Sequence, residues 1–383
     1  MASLIGLLTL GLVDNQILAP ILPEIASSFG VGAARVGLTI SGYALAAALA
    51  ALIIGPLSDR AARRPFLIAA GMSFGLASLA AFFAGSFSLF AGARFLAGAS
   101  AGVISALVVV SIADRVPYER RGRAMSWVAS AYVVAPMLGV PAASLLAEEL
   151  EWRILYMLFA SAAAVLSLAL AVWFVELSTA GTNEQNQWVS EGPRNYSGFL
   201  KNKVTAAGAL SAFFVSGGIT GFTIYLFAYL SSEFGFSLAT RGMVFLVSGG
   251  AALFGALGAG PVSDRIGKRA VALWGSVALA VFVLVVPSLG GGVLLYVGLG
   301  LVGLAAASRM APLQSLVTEL VSREARGAYV ALRNTLSQLG IAVSAAVGGP
   351  LLASRGFGAV CILAAAFSLV AALLLLLVEE PKA

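Results

Sequence analysis

The sequence has no histidine and a single cysteine, Cys361, among its 383 residues. The absence of histidine excludes a histidine-ligated metal site, a catalytic histidine and a histidine proton relay. One cysteine cannot form an intrachain disulfide, and its apolar surroundings favour a packing role. The sequence also contains no Walker A motif, so no ATP-binding loop of that type is expected. We therefore predict neither a metal nor a cofactor.

Charged residues are scarce as well: they make up 10% of the chain, whereas 60% of the residues are hydrophobic. A soluble protein carries about 25% charged residues, so this chain cannot cover a water-facing surface. A membrane-spanning helix needs ~20 mostly apolar residues. The long apolar runs are rich in Ala, Leu and Gly and do not alternate, which favours helices over barrel strands. Twelve spans are predicted, at 4–27, 36–58, 66–85, 88–112, 124–148, 152–176, 204–232, 240–262, 270–288, 291–319, 328–353 and 357–378.

The net charge of +6 is distributed unevenly along the chain. Most Lys and Arg residues fall in the loops on one side of the twelve predicted spans, the side that also holds both termini. This asymmetry is the positive-inside pattern, which predicts that both termini are cytoplasmic. The basic excess is thus a topology signal, and nucleic acid is not an expected partner. The predicted location is the inner (cytoplasmic) membrane of a bacterium.

One charged phrase occurs twice, as GPLSDRAARRP from Gly55 and as GPVSDRIGKRA from Gly260. The same offset of 205 positions relates SSFG at Ser27 to SEFG at Ser232, and Glu119 to Glu324. A constant offset predicts two halves of six helices each. We predict an all-α membrane protein with two pseudo-symmetric halves, residues 1–176 and 204–383. A polar segment rich in Gly, Ser and Asn separates them, and we predict a cytoplasmic linker at 177–203.

The repeated loop carries the resemblance to a known family. The first copy fills a Gly-x-Leu-x-Asp-Arg-x-Gly-Arg-Arg pattern with Gly55, Leu57, Asp59, Arg60, Arg63 and Arg64. Ala62 stands at the second glycine of the pattern, whereas the second copy has Gly267 there. Together with the helix count and the repeat, this loop resembles the signature of the major facilitator superfamily across the whole chain.

Three further stretches resemble one branch of that superfamily. They are RFLAGASAG (94–102), APMLGVP (135–141) and DNQILAPILPEI (14–25), which are similar to helices 4, 5 and 1, respectively, of twelve-helix drug–proton antiporters. The resemblance implies proton-coupled export of an amphipathic or lipophilic small molecule by alternating access. It also implies a monomer surrounded by membrane lipid, with the substrate and protons as partners.

Two alternatives stay open at this point. One is a proton-coupled or facilitative transporter of a specific metabolite or lipid-like solute. The more distant one is a membrane-embedded lipid enzyme, which would need a nucleophile or a metal cluster inside the bilayer. The sequence has no histidine and no Asp/Glu pair at helical spacing within a span, so we expect a transporter and not an enzyme.

The resemblance gives the repeated loop a role as a conformational latch between the two halves. Asp59 would accept hydrogen bonds at the start of the eleventh span, and Arg63 would pair with Asp114. Plain retention of basic loops in the cytoplasm explains the same Arg and Lys residues without a latch. The full set of candidate latch residues is Gly55, Asp59, Arg60, Arg63, Asp114, Asp264, Arg265 and Lys268.

Charges inside the predicted spans are the sharpest indication of a site. Asp14 lies about 16 Å into the first span at 1.5 Å per residue, where a charge costs ~2.5–3.5 kcal/mol on insertion scales. Arg309 lies at a similar depth, and the resemblance puts both helices around a central cavity, where the two could meet. Asp14 and Arg309 match Ile219 and Ile104 in the other half, so neither charge was duplicated.

Asp14 is therefore the predicted proton-titrating carboxylate, with Arg309 as its charge partner. Burial favours the protonated acid and a nearby guanidinium favours the ionised one, so access to water could load and unload the proton. A static buried ion pair that orients two helices is the alternative. Glu24 with Arg94 is a second, weaker candidate pair, because Glu24 follows Pro20 and Pro23 and could be solvated at the membrane surface.

Polar and aromatic residues on the spans complete the predictions. Candidate residues of a substrate cavity are Asn15, Gln16, Tyr132, Phe222, Tyr225, Gln314 and Gln338. The polar ones could equally be interhelical hydrogen-bonding groups, and the aromatic ones could face lipid. On the fifth span, Pro136, Gly139 and Pro141 are predicted to give close packing and a bend.

Overall fold

A computed structural model describes residues 2–60, 62–115, 118–173, 196–322 and 325–378. Inside the helices, the side chains at 55–56, 59–60, 113–115, 118–127, 129–130, 133, 173, 196–197, 318 and 327 lie outside that description. The helices are α1 Ala2–Ile17, α2 Leu22–Phe29, α3 Ala33–Arg60, α4 Arg63–Phe82, α5 Phe87–Arg115, α6 Tyr118–Leu150, α7 Arg153–Trp173, α8 Tyr196–Lys201, α9 Lys203–Phe234, α10 Leu238–Ile266, α11 Lys268–Val285, α12 Val293–Ser308, α13 Met310–Thr318, α14 Arg326–Arg355 and α15 Phe357–Leu376.

The twelve predicted spans each coincide with a helix or with a broken pair of helices. Over the described residues, ten helices are long and apolar enough to cross a membrane, and the bent pair α1–α2 makes up to eleven. Helix α6 occupies the fifth predicted span. No strand occurs in the described part of the chain. The predicted fold class, an all-α membrane protein, is confirmed.

Two spans predicted as continuous helices are broken. The first bends by 66° between α1 and α2. Pro20 has no backbone N–H for a helical hydrogen bond, and Pro23 stands at the first turn of α2, where a proline is tolerated. The tenth span breaks at Arg309, which separates α12 from α13. Apolar length alone does not reveal such breaks, because it carries no information on backbone direction.

Contacts divide the chain into two units, each described separately below. The N-terminal unit contains α1–α7 together with residues 236–242, and the C-terminal unit contains α8, α9, the remainder of α10 and α11–α15. The main helix pairings of the first unit recur in the second. Helix α1 packs on α6 and α7 as α9 packs on α14 and α15, and α4 packs on α5 and α7 as α11 packs on α12 and α15.

The repeated Ser-x-Phe-Gly phrase has the same structural role in both halves. Gly30 ends α2 with φ 62° and Gly235 ends α9 with φ 63°, both in the left-handed region. The two glycine N–H groups donate to Ser27 O and Ser231 O, closing the last turn of each helix. Glycine adopts this conformation without the steric cost that a Cβ imposes. The phrase therefore forms a glycine C-cap at the end of a helix in each half.

A second duplicated feature is a glycine that allows two helix backbones to touch. A Cβ added to Gly98 on α5 would come closer than 3.0 Å to three backbone atoms of Tyr43 on α3. At the repeat offset, Gly303 on α12 makes the same approach to the carbonyl group of Ser248 on α10, where an added Cβ would also lie under 3.0 Å. Small residues of this kind allow transmembrane helices to pack closely.

Candidate functional site

The centre of the N-terminal unit holds a buried ion pair. Arg94 Nη1 on α5 lies 2.6 Å from Asp14 Oδ1 on α1, and Arg94 Nη2 donates to the Asp14 carbonyl oxygen at 3.4 Å. The side chains are 2% and 0% exposed, respectively. A charge removed from water in this way persists only when it is paired and hydrogen-bonded. Each of the two residues therefore supplies the counter-charge of the other.

Two tyrosine rings complete the surroundings of the Arg94 guanidinium. Its carbon lies 4.7 Å from the ring centroid of Tyr43 on α3 and 5.7 Å from that of Tyr156 on α7. Both tyrosines are buried. A cation over an aromatic face within ~6 Å is attracted to it by about 2 kcal/mol or more when desolvated. Four helices thus contribute one side chain each to this site, which we call the Asp14 cluster: Asp14, Tyr43, Arg94 and Tyr156.

The Arg-x-x-x-Gly pattern on α5 explains why these side chains meet. Residues four apart share one face of a helix, so Arg94, Gly98 and Gly102 point in the same direction. Gly98 lies against the backbone of Tyr43, and Gly102 lies against that of Ala47. The glycines bring α3 close enough to α5 for the ring of Tyr43 to reach the arginine one turn away.

Glycine also brings α6 against α1 beside the acid. A Cβ added to Gly139 would lie 2.6 Å from Val13 Cγ2, and Val13 precedes Asp14. The predicted packing role of the fifth span therefore has a definite partner in the first. Pro141, the next residue of the predicted set, is buried, and its Cα is close to the position that a Cβ on Gly242 would take. Pro136 is half-buried.

The sequence repeat distinguishes the residues of the duplicated helix scaffold from the residues of the Asp14 cluster. The counterparts of Asp14, Tyr43, Arg94 and Tyr156 at the offset of 205 are Ile219, Ser248, Leu299 and Cys361. The helix-contact glycine is present in both halves, whereas none of the four cluster residues is repeated. The helix scaffold is therefore duplicated, whereas the Asp14 cluster occurs in the N-terminal unit and not at the matching positions of the C-terminal unit.

The predicted partnership of Asp14 with Arg309 is wrong for this structure, because Arg94 holds the carboxylate. Arg309 belongs to the C-terminal unit, where its guanidinium donates to Val215 O at 3.1 Å and to Ser276 Oγ at 3.5 Å. It is fully buried at the break between α12 and α13. Residue number predicts that Arg309 and Asp14 lie at similar depths in the membrane. It does not predict toward which neighbouring helix either side chain points.

The second predicted pair, Glu24 with Arg94, is replaced by Glu24 with Arg241. Both terminal nitrogens of Arg241 donate to the Glu24 carboxylate, and one also donates to the carbonyl oxygen of Pro20. Nearby, the Ala239 N–H donates to the Glu148 carboxylate. Arg241 is nearly buried, with 3% of its side chain exposed. These contacts attach residues 236–242 to the N-terminal unit.

Removing Arg241 is expected to destabilise the protein. In Arg241→Ala the carboxylate of Glu24 loses its counter-charge and the Pro20 carbonyl loses a donor, at a cost of about 1–3 kcal/mol. Arg35→Ala is the matched control, since Arg35 is exposed near the start of α3. Thermal denaturation in detergent should show a lower midpoint for the first variant only. Equal midpoints for the two variants would show that the contacts of Arg241 with Glu24 and Pro20 do not stabilise the protein.

The candidate latch residues lie partly outside the described side chains. This applies to Gly55, Asp59, Arg60 and Asp114. Arg63 is half-buried, and Asp264 and Arg265 are exposed. Lys268 pairs with Glu319 at 2.8 Å, at the end of α13. The latch therefore stays a prediction, and the Lys268–Glu319 ion pair of its second copy is internal to the C-terminal unit.

Two of the predicted cavity residues are part of the core of the C-terminal unit instead. Phe222 is 1% exposed beside the ring of Phe357, and Tyr225 is 0% exposed with its hydroxyl donating to Ala345 O. Gln314 is exposed and accepts from Arg333 at 2.7 Å. Tyr132 is exposed, and Asn15, Gln16 and Gln338 are half-buried, so these four stay candidates.

The sequence prediction missed Tyr43, Tyr156 and Arg241. The offset of 205 offered a signal for the tyrosines, because Tyr43 and Tyr156 face Ser248 and Cys361 in the alignment of the halves. A search for polar or aromatic residues that differ between the two halves would have found both tyrosines as well as Asp14. No comparable signal indicated Arg241, since its partner Glu24 is distant in sequence.

Comparison with known proteins decides the family. The sequence profile of the Major Facilitator Superfamily matches residues 4–258 and 208–383. The chain belongs to the Major Facilitator Superfamily. It is accordingly a membrane transporter and not an enzyme, and the predicted fold matches that family.

Individual relatives agree with this assignment. The chain is 24% identical over 356 residues to the uncharacterized MFS-type transporter YwfA of Bacillus subtilis, covering 93% of this chain and 86% of the relative. It is 26% identical over 204 residues to the multidrug transporter MdfA of Edwardsiella piscicida, covering 53% and 49% of the two chains. A solved structure of a D-xylose–proton symporter superposes with a TM-score of 0.79 at 18% identity, covering 99% and 97%. At that identity, the likeness concerns the fold.

Proposed function

We propose that this transporter exports an amphipathic or lipophilic small molecule in exchange for protons, and that Asp14 carries the proton. The observation that carries the proposal is the Asp14 cluster: a carboxylate fully buried in a membrane-spanning helix, paired with one arginine and absent from the second half of the repeat. Intramembrane ionisable residues of this kind mark ion pathways and proton relays.

The two carboxylate oxygens of Asp14 have different surroundings. Oδ1 accepts the bond from Arg94, whereas Oδ2 has no hydrogen-bond partner of normal geometry within the described residues. A proton can therefore bind at Oδ2 while Arg94 stays on Oδ1. Protonation removes the negative charge and leaves the guanidinium held by the two tyrosine rings.

The direction of transport and the class of substrate draw support from the relatives and the sequence. The multidrug transporter MdfA of Edwardsiella piscicida matches about half of the chain. The stretch around Asp14 and the glycines of α5 and α6 resemble drug–proton antiporters. We further infer that both termini face the cytoplasm of a bacterial inner membrane, because Lys and Arg concentrate in the loops on that side.

Transport in proteoliposomes tests the proposal. Purified protein is reconstituted, an acidic lumen is set against a neutral bath, and ethidium serves as the amphipathic probe. Proton exit through an antiporter should drive ethidium into the lumen, and a protonophore should abolish the uptake. D-Xylose, tested in parallel with the gradient reversed so that protons enter the lumen as a symporter requires, should not accumulate. Uptake of D-xylose without ethidium, or movement of neither probe, would contradict the proposed substrate class.

A further inference from the structure

The guanidinium of Arg94 is fixed from two sides in a way that an ion pair alone does not require. Tyr43 on α3 and Tyr156 on α7 place their rings against it, at 4.7 and 5.7 Å from centroid to guanidinium carbon. All three side chains are buried, at 2%, 1% and 2% exposure for Tyr43, Tyr156 and Arg94. The charged pair therefore stands inside an aromatic cage built by helices other than its own.

The cage leaves the arginine few orientations. Nη1 is bonded to Asp14 Oδ1 and Nη2 to the Asp14 carbonyl oxygen, so both forks of the guanidinium point toward α1. Nε has no hydrogen-bond partner in the described part of the chain, and neither has the hydroxyl group of Tyr156. On the side that faces away from α1, the guanidinium is therefore held by the rings of Tyr43 and Tyr156 and not by hydrogen bonds.

We propose that Tyr43 and Tyr156 are positioning residues: their rings hold the guanidinium of Arg94 over Asp14 Oδ1 and thereby set the pH at which Asp14 exchanges its proton. This inference rests on Asp14 as the proton carrier. A cation held beside a carboxylate favours the ionised form, and a cation free to turn away favours it less. Loss of a ring should therefore let Asp14 bind its proton at a higher pH.

Few other groups act on this carboxylate. Arg94 from α5 and Tyr43 from α3 act on Asp14 directly, and Tyr156 from α7 interacts with its charge. Helix α6, which also packs on α1, contributes the glycine contact Gly139–Val13 there. Within the described residues, the cluster itself thus contains the titratable groups that control Asp14, so substitutions in it have an interpretable effect.

The sequence repeat supports a role in the site over a role in general packing. The scaffold contact beneath Tyr43 is duplicated, because Gly98 and Gly303 both touch the facing backbone. The ring on that backbone is not duplicated, since position 248 is a serine, and position 361, opposite Tyr156, is a cysteine. Packing of the half-repeat therefore does not require tyrosine at either place.

Infrared spectroscopy of the purified full-length protein tests the inference without a transported ligand. The carbonyl stretch of protonated Asp14 is identified as the band that disappears in Asp14→Asn, and its intensity is followed as the pH is varied. We expect the midpoint to rise by about one pH unit or more in Tyr43→Leu and in Tyr156→Leu. Tyr156→Phe, which keeps the ring, should remain near the wild type.

A control variant and two different outcomes show whether this inference or the proposed proton carrier is wrong. Phe95→Leu removes an aromatic side chain next to Arg94 on α5 that is 47% exposed, and it should leave the midpoint unchanged. Leucine variants that lower thermal stability but titrate like the wild type would show a merely structural role and overturn the inference. An Asp14 band that does not titrate in the wild type would overturn the proposed proton carrier and, with it, this inference.

Discussion

Replacing Asp14 by asparagine is expected to abolish proton-driven exchange. Asparagine occupies nearly the same space and can still accept a hydrogen bond from Arg94, but it cannot bind and release a proton. Uptake of ethidium driven by the pH gradient should fall by roughly 100-fold or more, the scale on which a lost proton-transfer group slows a reaction. Exchange of ethidium between two compartments of equal pH should persist, since it needs no proton.

The same substitution has a separate effect on stability, which must not be confused with the loss of coupling. In Asp14→Asn the guanidinium of Arg94 stays buried without a counter-charge, a situation that costs about 3–5 kcal/mol. The double variant Asp14→Asn/Arg94→Gln removes both charges. It should recover most of the thermal stability and none of the proton-driven uptake.

Two controls make this prediction decisive. Glu149→Gln neutralises an exposed carboxylate near the end of α6 and should transport like the wild type. Asp14→Glu retains a titratable group and should keep part of the exchange. If the pH gradient drives ethidium into the lumen as fast with the double variant as with the wild type, Asp14 is not the proton carrier.

Replacing Gly98 by alanine is expected to cause a large loss of stability for the addition of a single methyl group. The new Cβ would meet three backbone atoms of Tyr43, and backbone cannot rotate away as the end of a flexible side chain can. Helix α3 must move away from α5, at a cost of about 1–3 kcal/mol or more for such overpacking. Because Tyr43 moves with its helix, we also expect the Asp14 titration to shift.

Gly92 on the same helix supplies the matched control. A Cβ there meets nothing within 4 Å, so Gly92→Ala should be neutral or stabilise the helix by up to about 1 kcal/mol. Gly303→Ala tests the duplicated contact in the C-terminal unit: it should destabilise the protein without altering the titration of Asp14. Similar thermal midpoints for Gly98→Ala and Gly92→Ala would show that α3 and α5 are not held in this close contact.

Much of the fold follows from patterns that depend on position along the chain. Twelve apolar stretches predicted the spans, and the offset of 205 predicted two halves of six helices each. The structure shows what the repeated Ser-x-Phe-Gly phrase does, because Gly30 and Gly235 both end a helix. The bend at 18–21 could not be predicted with the same method, since hydropathy measures how apolar a stretch is and not whether its backbone stays straight.

The sequence by itself determined that Asp14 is an acid without a counterpart in the second half, and it predicted that Asp14 lies deep in the first span. Only the tertiary structure decided the partners: Arg94 instead of Arg309 for Asp14, and Arg241 instead of Arg94 for Glu24. The physical reason is that depth along a helix is set by residue number, whereas contact depends on which faces of which helices meet. Those faces are chosen by small residues such as Gly98 and Gly139, whose partners lie far away in the chain.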